Sequence, residues 1–283
     1  MLRRLAALLG LLLGWVLVVA ACSPKEPAPP PGFGNGTSAH TINVGGRDRS
    51  YRLYKPAGLP ASAPLVVMLH GVFGDALQAE KAYGWDQLAD SAKFIVAYPD
   101  GVNRAWNVNG GGCCGRPARE GVDDVAFITA AVADIAKNVN IDSARVYATG
   151  MSNGGIMSYT LACNTAVFAA IGPNAATQLN ACPSPHPTSV MHIHGTADRL
   201  VPYNGGQGLS IINGPSASEV DAFWRNVDHC GAPVATTTGL VTTSRAGCAG
   251  NRSVVLITVD GGGHEWPSFA THTLWEFFAA HPR

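Results

Sequence analysis

Charged side chains are scarce in this sequence. Only 13% of its 283 residues are Asp, Glu, Lys or Arg, against about 25% in typical globular proteins. Nineteen basic side chains balance nineteen acidic ones, so the formal net charge is zero. Because nucleic-acid binding needs a basic surface to neutralise phosphates, we expect no nucleic-acid partner. Apolar residues make up 47% of the chain, which excludes disorder throughout and provides for a large core.

Paired metal-binding cysteines, repeats and interdomain linkers are also missing. The sequence contains no C-x-x-C pair at zinc-site spacing, so no metal is predicted. After Ala39 neither a Pro/Gly-rich linker nor an internal repeat interrupts the chain. These absences predict a single domain over residues 40–283.

The first residues have the features of an export signal. A short basic segment precedes an uncharged apolar run that ends in Val-Ala-Ala-Cys, with the cysteine at position 22. This ending resembles a bacterial lipobox, in which the peptide is cut before a cysteine that becomes lipidated. We predict a signal peptide over 1–21, a lipid anchor on Cys22 and a Pro/Gly-rich tether over 22–39. Ordinary secretion with cleavage near Ala21, or an uncleaved anchor, are the alternatives.

Cysteines other than Cys22 suggest disulfides. Six remain of the seven, and an even number in an exported domain allows up to three bridges. The pair Cys230 and Cys248 is favoured, because both flank a turn-rich segment. The other pairings stay open.

Apolar, β-rich runs alternate with helical patterns along the rest of the chain. This alternation is typical of a mostly parallel, twisted sheet with helices on both faces, an α/β fold. The strands are predicted at 51–54, 65–69, 94–98, 145–148, 169–171, 190–194 and 253–259. The helices are predicted near 87–93, 123–138, 154–164, 218–228 and 271–280. In such sheets, functional side chains follow the carboxyl ends of the strands.

One of these strand ends carries a G-x-S-x-G motif. Gly150, Ser152 and Gly154 stand between an apolar strand and a helix, the context in which a sharp turn exposes a nucleophilic serine. The two glycines lack the Cβ atoms that would block such a turn. The following helix directs its positive N-terminal end at the site. Ser152 is therefore the predicted nucleophile, and a structural turn whose serine caps the helix is the alternative.

A serine hydroxyl needs a base to take its proton and an acid to orient that base. In the arrangement built on this motif, the order along the chain is Ser, then Asp or Glu, then His. Asp198 follows the apolar strand at 190–194 and is the predicted acid; a turn aspartate that caps 201–203 is the alternative. His264 stands in a glycine-rich loop after the last apolar strand and is the predicted base.

Two backbone N–H groups are expected to hold the oxyanion. One belongs to Asn153, the residue after the nucleophile, and the other to the H-G-x-x-G loop at 70–74. Within that loop the donor is Val72 or Phe73, and we favour Val72. His70 is expected to support the loop by hydrogen bonding, with a core histidine as the alternative.

Two tryptophans and two histidines near these loops have less specific patterns. Trp106 and Trp266 are predicted to form apolar walls of an acyl or aryl pocket, with plain packing as the alternative. His192 and His194 would lie on one face of a strand, as metal ligands can. A third ligand is not evident, so support of the loop that carries Asp198 is the preferred interpretation.

Short motifs occur in order along the chain: LHG (69–71), YPDG (98–101), WN (106–107), CC (113–114), DDVAFI (123–128), RVYATGMSNGG (145–155), HIHGTAD (192–198) and GGGHEWP (261–267). Together they resemble the polyhydroxybutyrate depolymerase and feruloyl esterase family of α/β-hydrolases, and the chain is also similar to lipoprotein esterases of the mycobacterial type. The resemblance implies an α/β-hydrolase fold with Ser152, Asp198 and His264 as the catalytic triad. These enzymes often have a cysteine where Val72 stands, so a disulfide at that corner is not expected.

The predicted function is therefore that of an exported, lipid-anchored serine esterase. Its expected substrates are small-molecule or oligomeric esters: feruloyl, acetyl or short hydroxyalkanoate esters. No cofactor is expected, the membrane is a partner only through the lipid anchor, and the protein is expected to be a monomer. A serine peptidase on the same fold and a non-catalytic, ligand-binding lipoprotein are the alternatives.

Overall fold

The structure is a computed structural model that describes residues 33–283. The predicted signal peptide, the predicted lipid anchor on Cys22 and most of the predicted tether lie outside the described residues. From residue 33 onward, none of the helices is both long and apolar enough to cross a membrane.

Twelve strands and seven α-helices follow one another in the described part of the chain. The strands are β1 (Gly36–Val44), β2 (Arg47–Lys55), β3 (Ala63–Leu69), β4 (Ile95–Pro99), β5 (Ile141–Met151), β6 (Ala170–Asn174), β7 (Ser189–Gly195), β8 (Gly206–Gln207), β9 (Asn213–Gly214), β10 (Val234–Thr238), β11 (Val241–Gly247) and β12 (Ser253–Val259). The helices are α1 (Ala76–Ala82), α2 (Trp85–Ala92), α3 (Gly115–Glu120), α4 (Asp124–Asn138), α5 (Asn153–Asn164), α6 (Ala217–Val227) and α7 (Ala270–Ala280).

Ten of the strands form one mixed sheet in the order β1-β2-β4-β3-β5-β6-β7-β12-β11-β10. The six central strands, from β4 to β12 in that order, run parallel. Antiparallel strands extend the sheet at both edges. Because parallel strands end at the same edge of a sheet, the loops after β3, β5, β7 and β12 are brought together there.

The sheet is buried on both faces, as the sequence of β3 illustrates. Leu65, Val67 and Leu69 belong to one hydrophobic core, and the alternate residues Val66 and Met68 belong to the other. Successive side chains of a strand point to opposite faces, so an uninterrupted apolar run needs cover on both sides. Residues of α4, α5 and α6 pack in the first core, and residues of α1, α2 and α7 pack in the second. The predicted fold class, a single α/β domain with helices on both faces, is confirmed.

The first strand begins four residues before the predicted start of the domain at residue 40. Strand β1 begins at Gly36, which is paired with Lys55 of β2, and the side chain of Ser38 is buried. The composition of residues 33–37 suggests a linker, but β2 offers these residues an edge for backbone pairing. The folded part of the chain therefore includes the end of the predicted tether.

Three disulfides connect six cysteines of the described residues. Cys230 and Cys248 are bonded on either side of the β10–β11 hairpin, which confirms the favoured pairing. The other bridges join Cys163 to Cys182 and the neighbours Cys113 and Cys114. Disulfides are typical of proteins from oxidising, extracytoplasmic compartments.

A buried ion pair fixes the start of α4 to the edge of the sheet. The Arg49 guanidinium on β2 lies 2.7 Å from Oδ1 of Asp124, and both side chains are almost fully buried. The other carboxylate oxygen of Asp124 accepts the backbone N–H of Asn107 at 2.7 Å. This pair therefore also anchors the loop that precedes α3, which approaches the predicted site.

Candidate active site

Ser152 occupies a sharp turn between β5 and α5. Its backbone angles are φ 55° and ψ −121°, a region that residues with side chains rarely adopt. The hydroxyl of Ser152 makes no capping hydrogen bond to the helix that follows. The alternative in which this serine serves only as a helix cap is therefore wrong.

The glycines on either side of Ser152 lie where backbones approach closely. A Cβ atom added at Gly150 would stand 2.8 Å from the carbonyl oxygen of Leu69, and one at Gly154 would stand 2.7 Å from that of His70. Both distances are shorter than any Cβ contact found in practice. The motif thus lets the turn pack directly against the end of β3, which places Ser152 beside the H-G-x-x-G loop.

Asp198 follows β7, and its carboxylate is held by several donors. Oδ1 accepts the backbone N–H groups of Leu200 (2.8 Å) and Val201 (2.9 Å). Oδ2 lies 2.7 Å from Nδ1 of His264 and 3.3 Å from Nε2 of His194. Burial alone would raise the pKa of Asp198, but the hydrogen bonds from the histidines and the Val201 N–H lower it well below its usual value. The group is therefore an anion at neutral pH.

His264 comes from the loop after β12 and is oriented by this anion. An ionised carboxylate can only accept, so Nδ1 of His264 carries the proton that it donates to Asp198. In the neutral ring Nε2 then has the lone pair that can take a proton. His264 and Ser152 line the same cavity.

The cavity that contains Ser152 and His264 has a volume of about 770 Å3. Its lining comes from the loops after β3, β5, β7 and β12, from Gln78 and Tyr83 in and after α1, from parts of the segment 103–115 and from the connection between β8 and β9. A cavity of this size is typical of small-molecule sites, which usually have mostly apolar walls and a few convergent polar groups.

The loop after β3 is fixed by His70. The imidazole Nε2 accepts the backbone N–H of Gly101 at 2.9 Å, so Nδ1 carries the proton and donates to the carbonyl of Gly71 at 2.8 Å. Burial lowers the pKa of His70, which favours this neutral form. The expected supporting role of His70 agrees with these contacts.

Val72 and Phe73 differ in the state of their backbone N–H groups. The N–H of Phe73 donates to the carbonyl of Arg104 at 2.9 Å, so it is not available for a ligand. Val72 lines the cavity together with Ser152. This difference favours Val72 over Phe73 as a donor to a bound oxyanion.

Trp106 does not form a wall of the cavity, so that prediction is wrong. Its side chain is fully buried, its indole N–H donates to the carbonyl of His70 at 2.8 Å, and its ring lies against the imidazole of His70. The buried side chain of Asn153 accepts the backbone N–H of Trp106 at 2.7 Å and donates to its carbonyl at 3.2 Å. Trp106 thus connects the loop after β3 to the start of α5 from within the protein interior.

Trp266 is also absent from the cavity lining, which corrects the second tryptophan prediction. Its indole N–H donates to Thr271 at 2.9 Å, and its ring lies against that of Tyr83, with 4.8 Å between the centroids. Tyr83 is the aromatic residue that lines the cavity there. Trp266 therefore supports the wall without forming its surface.

His192 and His194 form a buried pair beneath Asp198. Nε2 of His194 donates to the carbonyl of Val201 at 2.8 Å, and Nδ1 lies 3.1 Å from Nε2 of His192. Because a carbonyl only accepts, the neutral His194 ring has its free lone pair on Nδ1, where it accepts from His192. These contacts confirm that His194 supports the loop of Asp198.

Apolar residues of the cavity were not identified from the sequence. Leu200, Leu209 and Ile211 line it from the segment between β7 and α6. Their short apolar pattern contains no polar group that would mark a site, and only their exposure in the folded chain distinguishes them from core residues.

Serine at a strand-to-helix turn, followed by an Asp–His pair at the ends of parallel strands, defines an α/β-hydrolase. The comparisons with known proteins agree with this class. Residues 49–201 match the family described as Esterase PHB depolymerase. The chain belongs to this family and is a carboxylic ester hydrolase.

Individual relatives cover nearly the whole chain. It is 33% identical to NocK of Nocardia uniformis subsp. tsuyamanensis, over 91% of this chain and 89% of that protein. It is 32% identical to feruloyl esterase C of Emericella nidulans, over 95% of this chain and 98% of the relative. Among solved structures, the acetyl xylan esterase from Aspergillus awamori has the same fold, with a TM-score of 0.67, 18% identity and coverage of 86% of this chain and 99% of that one.

Proposed function

We propose that this chain is an exported, lipid-anchored serine esterase that uses Ser152, His264 and Asp198 as a catalytic triad. The observation that carries the proposal is the 2.7 Å contact between His264 Nδ1 and Asp198 Oδ2, made at the cavity that also contains Ser152. A serine in a strained turn without a capping bond, next to an imidazole oriented by a carboxylate, is the arrangement of an activated nucleophile.

Each residue of the triad has one part in the proposed reaction. Nε2 of His264 takes the proton of the Ser152 hydroxyl as its oxygen attacks the ester carbonyl. Asp198 holds the ring in place and stabilises the imidazolium that forms. The backbone N–H groups of Val72 and Asn153 donate to the oxyanion of the tetrahedral intermediate. Its collapse expels the alcohol, which receives the proton from His264 and leaves an acyl group on Ser152.

The second half of the proposed reaction releases the acid. A water molecule loses a proton to His264 and attacks the acyl-enzyme, and the same N–H groups hold the second oxyanion. Ser152 then leaves with the proton from His264. The reaction consumes one ester and one water and produces one acid and one alcohol.

Covalent labelling separates this enzyme from a non-catalytic ligand-binding protein. We expect a fluorophosphonate probe to label the purified protein on the peptide that contains Ser152 and not to label the Ser152→Ala variant. A Ser91→Ala variant, changed on the exposed face of α2, serves as the control and should label like the unchanged protein. Labelling that persists in Ser152→Ala, or that never occurs in any of the three proteins, would reject the triad.

The proposed substrates are neutral carboxylic esters, namely feruloyl, acetyl or short hydroxyalkanoate esters. Support comes from the relatives, which include proteins named feruloyl esterase and acetylxylan esterase. This proposal is tested with methyl ferulate, acetylated xylan, hydroxybutyrate oligomers and p-nitrophenyl acetate. The hydrolysis rate of each is measured with the unchanged protein and with the Ser152→Ala variant. Hydrolysis of peptides in preference to all of these esters would favour a serine peptidase instead.

The proposed location is the outer face of the cell membrane, with the monomeric domain attached through a lipid on Cys22. The motif before Cys22 and the three disulfides support export. Mass spectrometry of the protein extracted from membranes should find a lipid-modified N-terminal cysteine at position 22. A Cys22→Ala variant should lack the added mass of the lipid. An unmodified Cys22 in the protein from the membrane fraction would contradict the lipid anchor.

A further inference from the structure

Large apolar side chains that face solvent are concentrated at the mouth of the cavity. Seven are found among the described residues, and four of them line this cavity: Phe73 (78% exposed), Leu200 (40%), Leu209 (77%) and Ile211 (61%). We call these four residues the apolar rim. Several exposed apolar side chains around one cavity commonly mark a binding site.

Hydrogen bonds fix the backbone of the segment that carries Leu200, Leu209 and Ile211. Leu209 and Ile211 lie in the connection between β8 and β9, where the N–H of Leu209 donates to the carbonyl of Arg199 at 2.7 Å. Between them, the hydroxyl of Ser210 donates to the carbonyl of Leu200 at 2.7 Å. These hydrogen bonds fix the backbone of the connection in a conformation that leaves the side chains of Leu209 and Ile211 exposed.

The cavity behind the rim contains no acidic or basic side chain except the imidazole of His264. None of the described residues that line it is Asp, Glu, Lys or Arg. A charged acyl group or alcohol would lose its hydration there without a partner, which is costly. The cavity therefore favours an uncharged substrate moiety over a charged one.

We propose that the apolar rim is a subsite for an aliphatic part of the ester, which extends from Ser152 through the cavity to the surface. The inference rests on the proposed function and specifies its substrate class: neutral esters with a long apolar acyl or alcohol moiety. Leucine and isoleucine side chains bury methylene groups favourably and offer no hydrogen bond. Sugar hydroxyls placed against them would lose water without compensation. The rim therefore disfavours a carbohydrate as the projecting part of the substrate.

The first experiment compares short and long esters. The paired substrates are p-nitrophenyl acetate with p-nitrophenyl octanoate, and methyl ferulate with octyl ferulate. We expect the unchanged enzyme to prefer the longer member of at least one pair, and the double variant Leu209→Ser/Ile211→Ser to lose about tenfold or more in kcat/KM on that member. The loss on the short member of the same pair should be clearly smaller.

A matched control removes equally exposed apolar side chains elsewhere. Val234 (71% exposed) and Leu240 (66%) lie on the β10–β11 hairpin, away from the cavity lining. The double variant Val234→Ser/Leu240→Ser should leave all four reactions unchanged. Equal losses on short and long esters in the rim variant, or no loss on any, would overturn the subsite.

A binding measurement separates failure of the subsite from failure of the proposed catalysis. In the Ser152→Ala protein, the affinity for octyl ferulate is measured by titration calorimetry with and without the two rim substitutions. The inference requires weaker binding in the rim variant, whether or not the unchanged protein hydrolyses any ester. Unchanged binding, or a rim variant that changes only vesicle binding or self-association, would reject an ester subsite.

Discussion

Oδ2 of Asp198 lies 2.7 Å from Nδ1 of His264, and this contact decides which nitrogen of His264 faces the cavity. The carboxylate does not depend on His264 alone, because its other oxygen is held by backbone N–H groups and His194 approaches from beneath. The position of Asp198 is thus set by the fold before a substrate binds.

Replacing Asp198 by Asn should remove the proton acceptor that fixes the tautomer of His264. An amide nitrogen facing Nδ1 would donate, so the ring of His264 would place its proton on Nε2 and could not act as the proposed base. We expect kcat on p-nitrophenyl acetate to fall by roughly three to four orders of magnitude. Asp260→Asn, at the end of the neighbouring strand, is the control and should stay near the unchanged rate. Similar losses in both variants would argue against a specific role for Asp198.

His194→Phe should weaken catalysis without changing substrate binding. The phenyl ring keeps most of the volume but removes the Nε2–H donor close to Val201 and Asp198. A hydrogen bond to a charged group contributes about 1.5–3 kcal/mol, so kcat should fall at least about tenfold while KM is retained. His194→Gln, which keeps a donor, should recover part of the rate. A loss confined to KM, or no recovery with Gln, would contradict a positioning role.

The strain at Ser152 predicts that two variants at this position differ in stability. Ser152→Ala keeps the Cβ atom in the unfavourable backbone region, whereas Ser152→Gly removes it. Relief of the strain outweighs the greater flexibility of glycine in the unfolded chain, so Ser152→Gly should be more stable by about 1 kcal/mol. Urea unfolding of both variants measures this difference. A less stable glycine variant would mean that the turn is not strained.

The sequence was most informative where local chemistry dictates the backbone. The glycines around Ser152 and the polar residues after the apolar strands indicated which loops meet, because parallel strands end at one edge. The two tryptophans were misassigned, since a sequence does not show whether an aromatic ring faces a cavity or the loop behind it. Trp106 is buried because Asn153 binds its backbone, a contact between residues 47 positions apart.

The sequence patterns also did not predict the edge strands of the sheet, which are exposed or partly exposed. Strand β10 (Val234–Thr238) is exposed along its whole length and is rich in threonine, so it has no apolar alternation. Strand β1 begins in a segment with linker composition and forms because β2 provides an edge. The sequence did not distinguish the residues of the apolar rim from core residues of the same types. Whether such a side chain is exposed depends on which other segments of the folded chain pack over it.

Removing one partner of the buried ion pair between Arg49 and Asp124 should destabilise the fold more than removing both. Arg49→Met leaves an uncompensated carboxylate in the interior, which costs about 3–5 kcal/mol. The double variant Arg49→Met/Asp124→Leu removes both charges and should recover part of that loss, although the N–H of Asn107 then lacks its acceptor. Chemical denaturation of the three proteins tests this. Equal destabilisation by the single and double variants would show that the charge imbalance is not the cause.

Asp86 on α2 should make the fold less stable as the pH rises. Burial raises the pKa of this carboxyl to about 7, although the hydroxyl of Tyr98 donates to it at 2.6 Å and partly opposes the shift. The unfolded value is about 3.9, so the folded state binds the proton more tightly. The associated stability is complete below about pH 4 and is lost as the pH rises through about 7.

Asp86→Asn removes this titration while keeping an oxygen that accepts from Tyr98. The stability of the variant relative to the unchanged protein should therefore increase between about pH 4 and about pH 7 and then level off. Tyr98→Phe removes the bond that favours the anion, so in that variant the decline should extend to higher pH. Thermal unfolding across this range measures both effects. A constant difference between Asp86→Asn and the unchanged protein would show that Asp86 ionises equally easily in both states.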